Sequence, residues 1–343
     1  MEKKNNILSM TGDYETLFID AYGVLYDGIS MYDHVLPILE RLKKDGKKIV
    51  ILSNSTQVSK DMKTKYVQKG MIQNVHYDEL ITSGEFLHYT IMEHPDEFSK
   101  IMEGRSETVK CIFVGNSGVF ADTHLTEVDM QDADFLYVGV PRASCGAVRI
   151  DDIWDKNGNK INIEDILEND WNDLQDSHGH KGLAEFAHIL NNCLRLNKTL
   201  LVSNPDIFSC SFDYHTRKCI AIITQGAIGA YYEKLGGRVV YFGKPYSGIF
   251  EYAKQVVKSS KSILMIGDTP WTDISGANAC GLDTALVLTT GVSNEFISRM
   301  DDSLPVQEKY RLLFEQIAPK MARISYNVWP KYCISCFAGE SLY

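Results

Sequence analysis

Short apolar runs alternate along this chain with stretches in which apolar residues recur every three or four positions. In the first 80 residues, apolar runs at 17–20 and 48–53 predict buried strands. Helically spaced apolar residues, each stretch ending near a glycine, predict helices over 35–44 and 60–69. Strands that alternate with helices form parallel sheets through right-handed crossovers. The pattern therefore predicts an α/β fold.

The same alternation returns late in the chain. There the pattern predicts a helix, a helix, a strand, a short helix and a strand, in the order 227–235, 250–257, 262–267, 274–280 and 284–288. Residues 84–225, between the two series, carry strand and helix signals of their own. We therefore predict a doubly wound, mostly parallel core built from 13–83 and 226–297, interrupted by an inserted α/β domain over 84–225. Residues 298–343 form a C-terminal extension, in which the sequence assigns no role to Cys333 and Cys336.

The amino-acid composition and net charge limit the kinds of molecule that the protein is expected to bind. The 343 residues are 44% hydrophobic, which permits a large core, and the net charge is −10. An acidic chain is a poor general binder of nucleic acid or of anionic membranes, and neither is expected as a partner. A small phosphorylated metabolite remains compatible, because local lysines and backbone amides hold phosphate even in acidic proteins.

Apolar runs and cysteines bear on the cellular location and the oligomeric state of the protein. No apolar run approaches the roughly 20 residues of a membrane-spanning helix, and the first residues do not resemble a signal peptide. Several of the eight cysteines lie in apolar runs, as expected in a reducing compartment. We expect a soluble cytoplasmic protein, and apolar residues of the inserted domain and the C-terminal extension leave a homodimer open.

Polar residues follow four predicted strands or loops, and these mark the candidate chemistry. They are Asp20, Ser53-Asn54, Gly243-Lys244 and Asp268 with Asp273. Each alone has an ordinary explanation, such as a helix cap, a turn or a solvated lysine. Together they predict one site, because the carboxyl ends of parallel strands meet at the same edge of a sheet.

Carboxylates at that edge suit a divalent cation. Asp20 and Asp268 offer the hard oxygen ligands that Mg²⁺ prefers, and Asp273 is placed to orient their surroundings. Grouped carboxylates repel one another, so that a cation or a lysine has to offset them. Mg²⁺ is therefore the predicted cofactor.

The remaining residues suit phosphoryl transfer. Asp20 can attack phosphorus and form an aspartyl-phosphate. Ser53, the backbone amide of Asn54 and the ammonium of Lys244 can hold the non-bridging oxygens and stabilise the transition state. The sequence therefore predicts a site for a phosphate ester.

Five motifs carry a resemblance to a known family. They are Asp20-Ala21-Tyr22-Gly23-Val24-Leu25-Tyr26, Leu52-Ser53-Asn54-Ser55-Thr56, Ser203-Asn204-Pro205-Asp206, Gly243-Lys244-Pro245 and Ile266-Gly267-Asp268-Thr269-Pro270-Trp271-Thr272-Asp273-Ile274. Over residues 13–295 the chain resembles the class IIA hydrolases of the haloacid dehalogenase-like superfamily, which carry an α/β cap inserted between their second and third motifs. The resemblance implies Asn204 and Asp206 as cap contacts to substrate, and the backbone carbonyl of Tyr22 as a metal ligand.

Tyr22 departs from the pattern of the phosphatases in that superfamily. They place an aspartate two residues after the nucleophile, where it protonates the leaving oxygen and then activates water. A missing general acid typically costs about 10²–10⁴-fold in rate, and tyrosine is a poor substitute with a pKa of about 10. The predicted catalytic residues are thus Asp20, Lys244 and, with weakened acid chemistry, Tyr22.

Three functions fit this departure. The first is a slow or specialised Mg²⁺-dependent phosphatase that moves the proton through water, Tyr22 or a cap residue such as Asp206. The second is a catalytically silent phosphate- or metabolite-binding protein. The third is a haloacid dehalogenase-type hydrolase, whose chemistry would leave Asp268 and Asp273 unexplained. We expect the phosphatase.

Overall fold

The computed structural model describes most of the chain, and the account below refers to these residues. They are 2–4, 6–102, 109–115, 118–144, 146–213, 218–258 and 262–337. No helix among them is long and apolar enough to cross a membrane.

A seven-stranded parallel sheet forms the core. From edge to edge its strands are Glu2–Lys3, Tyr332–Ile334, Asp283–Val287, Ile263–Gly267, Thr16–Ile19, Lys48–Ser53 and Glu79–Thr82. The strand order reverses direction where Thr16–Ile19 pairs with Ile263–Gly267. Ligands of open α/β sheets bind in the crevice at such a reversal.

Helices cover both faces of this sheet. The helices of the core are Val35–Lys44, Ser59–Gln68, Ser83–Glu93, Ser247–Val257, Ser275–Ala279 and Gly291–Arg299. Leu17 and Ile19 pack into the apolar cluster on one face, whereas Phe18 packs into the cluster on the other. A strand that is buried on both faces reads as a continuous apolar run. The predicted doubly wound α/β core is confirmed.

A second parallel sheet forms the inserted part. Its strands are, in order, Val239–Tyr241, Thr199–Val202, Phe135–Val138, Lys110–Val114 and Thr126–Glu127. The helices Pro95–Ile101, Gly182–Arg195 and Gln225–Lys234 and two antiparallel pairs accompany it. Those pairs are Phe208–Asp213 with Lys218–Ile223, and Ile153–Trp154 with Gln175–Asp176.

Strand pairing differs from the predicted domain limits at two places. Val239–Tyr241 joins the inserted sheet beside Thr199–Val202, so that the inserted part continues past residue 225. Near the C-terminus, Tyr332–Ile334 joins the core sheet beside Asp283–Val287 and buries Cys333. Three-residue strands give almost no periodic signal, and their partners lie far away in sequence. The helical segments Val306–Leu312, Leu313–Ile317 and Ala318–Met321 lie between the helix Gly291–Arg299 and the strand Tyr332–Ile334.

Candidate active site

Lys244 ties together three segments at the carboxyl edge of the core sheet. Its ammonium donates to Asp20 Oδ1 at 2.6 Å, to Asp273 Oδ1 at 2.7 Å and to the Leu52 carbonyl at 2.8 Å. The side chain is only 2% exposed, so these contacts form away from solvent. The sequence alone had allowed a solvated surface lysine here. Burial with three partners instead makes Lys244 the positive centre of the site.

A third carboxylate, that of Asp268, lies beside the two that contact this ammonium. Asp20, Asp268 and Asp273 are buried, and each offers an oxygen within 4.8 Å of the other two. Asp273 uses both of its oxygens, since Oδ2 accepts from the backbone amides of Asp268 and Thr269 at 3.1 Å. The carboxylate of Asp268 accepts from Thr269 Oγ1 at 3.0 Å and from the Val292 amide at 2.6 Å.

Burial shifts the protonation of these groups. It raises the pKa of Asp20 to about 7, although the charge of Lys244 acts in the opposite direction. Burial and the charges of Asp20 and Asp273 raise the pKa of Asp268 well above its ordinary value. Lys244 is desolvated as well, but its two carboxylate partners hold its pKa above the usual range. The ammonium thus pairs with two of the three acids, and the site carries unbalanced negative charge when all three are ionised.

This donor set fits a divalent cation. Its oxygens are hard ligands, and three ionised acids beside one ammonium leave two negative charges uncompensated. In the part of the chain that the structure describes, Asp20 Oδ2 has no hydrogen bond or ion pair. Gly23 and Gly291 press against the carboxylate of Asp268, where a Cβ on either residue would collide with Oδ2. The space beside Asp268 is therefore shaped by two glycines, of which Gly23 belongs to the first motif and Gly291 to none of the five.

Asn54 holds the site together rather than facing it freely. Its Oδ1 accepts from the Lys244 amide at 2.8 Å and from Ser83 Oγ at 3.1 Å. Its Nδ2 donates to the Lys244 carbonyl at 2.9 Å and to Asp206 Oδ1 at 3.0 Å. These four bonds use the hydrogen-bonding capacity of the amide side chain. Only the backbone amide of Asn54 is therefore expected to contact a substrate.

The loop Ser203-Asn204-Pro205-Asp206 brings the inserted part to the same place. Burial raises the pKa of Asp206 to about 6, against the effects of Lys244 and of the Asn54 hydrogen bond. Asn204 Oδ1 accepts from the Asp206 amide at 3.0 Å. The buried Gln225, which sequence reasoning missed, accepts from the amides of Ser203 and Asn204 at 2.9 Å each. No local pattern marks Gln225, because its partners lie about 20 residues away.

All the predicted site residues line one cavity of about 170 Å³. They are Asp20, Tyr22, Ser53, Asn54, Asn204, Asp206, Lys244, Asp268 and Asp273. Ser53 Oγ accepts from the Ser55 amide at 3.2 Å. Apolar walls come from Phe208, which lies outside the motifs, and from Trp271, to which the sequence assigned no role. The structure therefore brings together every residue that the sequence proposed for the site.

Tyr22 stands at the edge of that cavity. Its ring packs edge-on against Tyr26, with centroids 5.6 Å apart and planes at 78°. Gly28 lies directly beneath the ring, where a Cβ would be 2.8 Å from a ring carbon. Tyr22 also lines a second, larger cavity of about 970 Å³. An aromatic ring thus borders both cavities.

Comparisons with known proteins agree with this architecture. Residues 17–119 match a family of haloacid dehalogenase-like hydrolases, and residues 241–303 match a HAD-hydrolase-like family. A search of curated proteins gave no match.

Solved structures resemble the whole chain. A haloacid dehalogenase-like hydrolase from Brucella suis 1330 is 20% identical, with a TM-score of 0.66 over 97% of this chain and 99% of that one. A possible sugar phosphatase from Cytophaga hutchinsonii is 19% identical (TM-score 0.63, 99% and 100% covered). A p-nitrophenyl phosphatase from Archaeoglobus fulgidus is 20% identical (TM-score 0.56, 95% and 98% covered). At these identities the likeness shows the fold. Two segments of the chain thus match haloacid dehalogenase-like hydrolase families, and the whole chain has the fold of such hydrolases, with an α/β domain inserted into the core.

Proposed function

We propose that this protein hydrolyses a small phosphate monoester through an aspartyl-phosphate on Asp20. The observation that carries the proposal is the buried cluster in which Lys244 joins Asp20 and Asp273 beside Asp268. The names of similar structures, a possible sugar phosphatase and a p-nitrophenyl phosphatase, support the same reaction class.

Asp20 is the proposed nucleophile. Lys244 holds Oδ1, which leaves Oδ2 to attack phosphorus as the bond to the leaving oxygen breaks. Ser53 and the backbone amide of Asn54, on the next strand of the sheet, are placed to hold the non-bridging oxygens. Water then attacks the aspartyl-phosphate and releases phosphate.

Mg²⁺ is the proposed cofactor. Asp20, Asp268 and the backbone carbonyl of Tyr22 would hold it, while Asp273 would orient Lys244 and the backbone amides that it already accepts from. When bound, the cation offsets charge on the phosphoryl group and on the carboxylates around it.

Tyr22 occupies the position at which related phosphatases carry their general acid. Asp206 is the group proposed to donate the proton to the leaving oxygen instead. It belongs to the cap, lines the same cavity as Asp20, and has a pKa of about 6. General acids work best when their pKa lies near the operating pH. Tyr22, with an ordinary pKa of about 10, holds its proton too tightly to deliver it efficiently near neutrality.

Phosphate release tests the proposal. Wild type is expected to cleave p-nitrophenyl phosphate with Mg²⁺ and to cleave alkyl phosphates far more slowly, because nitrophenolate needs little protonation. Tyr22→Asp should raise turnover of alkyl phosphates by about tenfold or more, and Asp20→Asn should abolish all turnover.

Two results would redirect the assignment. If neither wild type nor Tyr22→Asp cleaves the aryl ester with Mg²⁺, the chain is a silent phosphate-binding protein, the alternative that Tyr22 favours. Halide release from a 2-haloacid without added metal would instead assign dehalogenase chemistry.

A further inference from the structure

The larger cavity next to Tyr22 lies between the core and the inserted part. Tyr32 and Asn294 of the core border it on one side, and Arg149, Asp152 and Lys160 of the inserted part border it on the other. It encloses about 970 Å³, against about 170 Å³ for the inner cavity that holds Asp20. Because Tyr22 lines both, a substrate with its phosphate in the inner cavity would extend past this ring into the outer one.

One group of charges in the outer cavity is already paired. Arg299 pairs with Asp151 at 2.5 Å and donates through Nε to Glu295 at 2.6 Å. Asp151 Oδ2 also accepts from the Ala221 amide at 2.9 Å. Despite partial burial, these contacts lower the pKa of Asp151. The cluster ties the helix Gly291–Arg299 of the core to the inserted part, and its one arginine and two carboxylates leave one negative charge.

Arg149 and Lys160 are in a different situation. Both are exposed and line the outer cavity, and neither has an ion pair or side-chain hydrogen bond within the described part of the chain. The same wall carries two acids, Asp151, which is paired with Arg299, and Asp152, while the carboxylate of Asp27, on the core side, accepts from the amides of Ile29 and Ser30 at 2.8 Å. Among the charged side chains of this wall that have no ion pair within the described residues, two are cations and one is an acid.

We propose that the outer cavity is a leaving-group subsite for a phosphate monoester that carries a second anionic group, a carboxylate or another phosphate, bound by Arg149 and Lys160. The inference rests on the proposed phosphatase function, since it requires a phosphate held beside Asp20. Arginine and lysine are the side chains that recognise such anions, and Arg149 can do so through two parallel hydrogen bonds. Asp152 weakens the attraction and so restricts binding to ligands that reach both cations.

A matched pair of substrates tests the subsite. Sorbitol 6-phosphate and 6-phosphogluconate are both open-chain and differ by a hydroxymethyl group in place of the carboxylate, and p-nitrophenyl phosphate carries no second anion. Wild type should favour 6-phosphogluconate over sorbitol 6-phosphate by about tenfold in kcat/KM, equivalent to about 1.4 kcal/mol. The double variant Arg149→Glu/Lys160→Glu should remove this preference by raising KM, while kcat/KM for p-nitrophenyl phosphate stays within about twofold.

Two further variants sharpen the comparison. Asp152→Asn should act in the opposite direction and lower KM for 6-phosphogluconate. Lys181→Glu reverses another exposed lysine of the inserted part that does not line the cavity, and should change neither substrate.

The outcomes separate the subsite from the reaction. Cleavage of p-nitrophenyl phosphate without any preference for 6-phosphogluconate would overturn the subsite and leave the phosphatase intact. Equal losses for both substrates in the double variant would overturn it too. Absence of all Mg²⁺-dependent cleavage would overturn the proposed function itself.

Discussion

Replacing Lys244 by methionine should strongly destabilise the core. Methionine keeps a side chain of similar length but removes the ammonium that contacts Asp20, Asp273 and the Leu52 carbonyl. Two buried carboxylates would then face each other without their counter-charge, beside the third acid, Asp268.

The expected loss follows from this geometry. Removing one partner of a buried ion pair typically costs about 3–5 kcal/mol, because the remaining charge is desolvated without compensation. A domain of ordinary stability has about 5–15 kcal/mol in total. Lys244→Met should therefore lower the urea midpoint markedly at pH 7.5 in metal-free buffer, as followed by circular dichroism.

Lys156→Met is the matched control. Lys156 contacts Asp173 at 2.8 Å, almost the same distance, but the two side chains are 66% and 45% exposed. Exposed pairs contribute about 0–1 kcal/mol. The double variant Asp20→Asn/Lys244→Met should recover part of the stability that Lys244→Met loses, since one of the uncompensated charges is gone.

Two results would refute this reasoning. The first is a loss of unfolding free energy for Lys244→Met no larger than that for Lys156→Met. The second is a double variant less stable than Lys244→Met alone, which would mean that the contacts of Lys244 stabilise the fold independently of the carboxylate charges.

Three further variants probe other parts of the molecule by chemical denaturation. The pKa of Asp206 rises from 3.8 to about 6 on folding, so the unfolding free energy of wild type should fall by about 2 kcal/mol relative to that of Asp206→Asn as pH rises from 4 to 7. Parallel pH profiles of the two proteins would contradict this. Gly226→Ala should lower the unfolding free energy by about 1–3 kcal/mol, because the added Cβ would collide with the Pro205 carbonyl. Gly12→Ala is the control and should not lower it, because the space around Gly12 is open. Equal stabilities of the two variants would exclude the collision. Trp171→Ala should cost about 3–5 kcal/mol because the ring is fully buried, and a loss below 1 kcal/mol would show that the inserted part does not depend on it.

Local features of this protein could be predicted from its amino-acid sequence. Apolar runs marked the strands Thr16–Ile19, Lys48–Ser53 and Ile263–Gly267, because strands buried on both faces of a parallel sheet need apolar residues at every position. The polar residues that end these runs, Asp20 and Asp268 among them, were visible for the same reason. Motif order then suggested that they meet.

Tertiary structure alone decided which groups pair and which are buried. Asn54 bonds to Asp206 and Lys244 across 152 and 190 positions of sequence, and Val239–Tyr241 joins the inserted sheet rather than the core. Periodicity reports the face on which a residue lies, but it carries no information about a distant partner. Lys244 could therefore be read equally well as a solvated surface residue until the fold enclosed it between two carboxylates and desolvated all three charges.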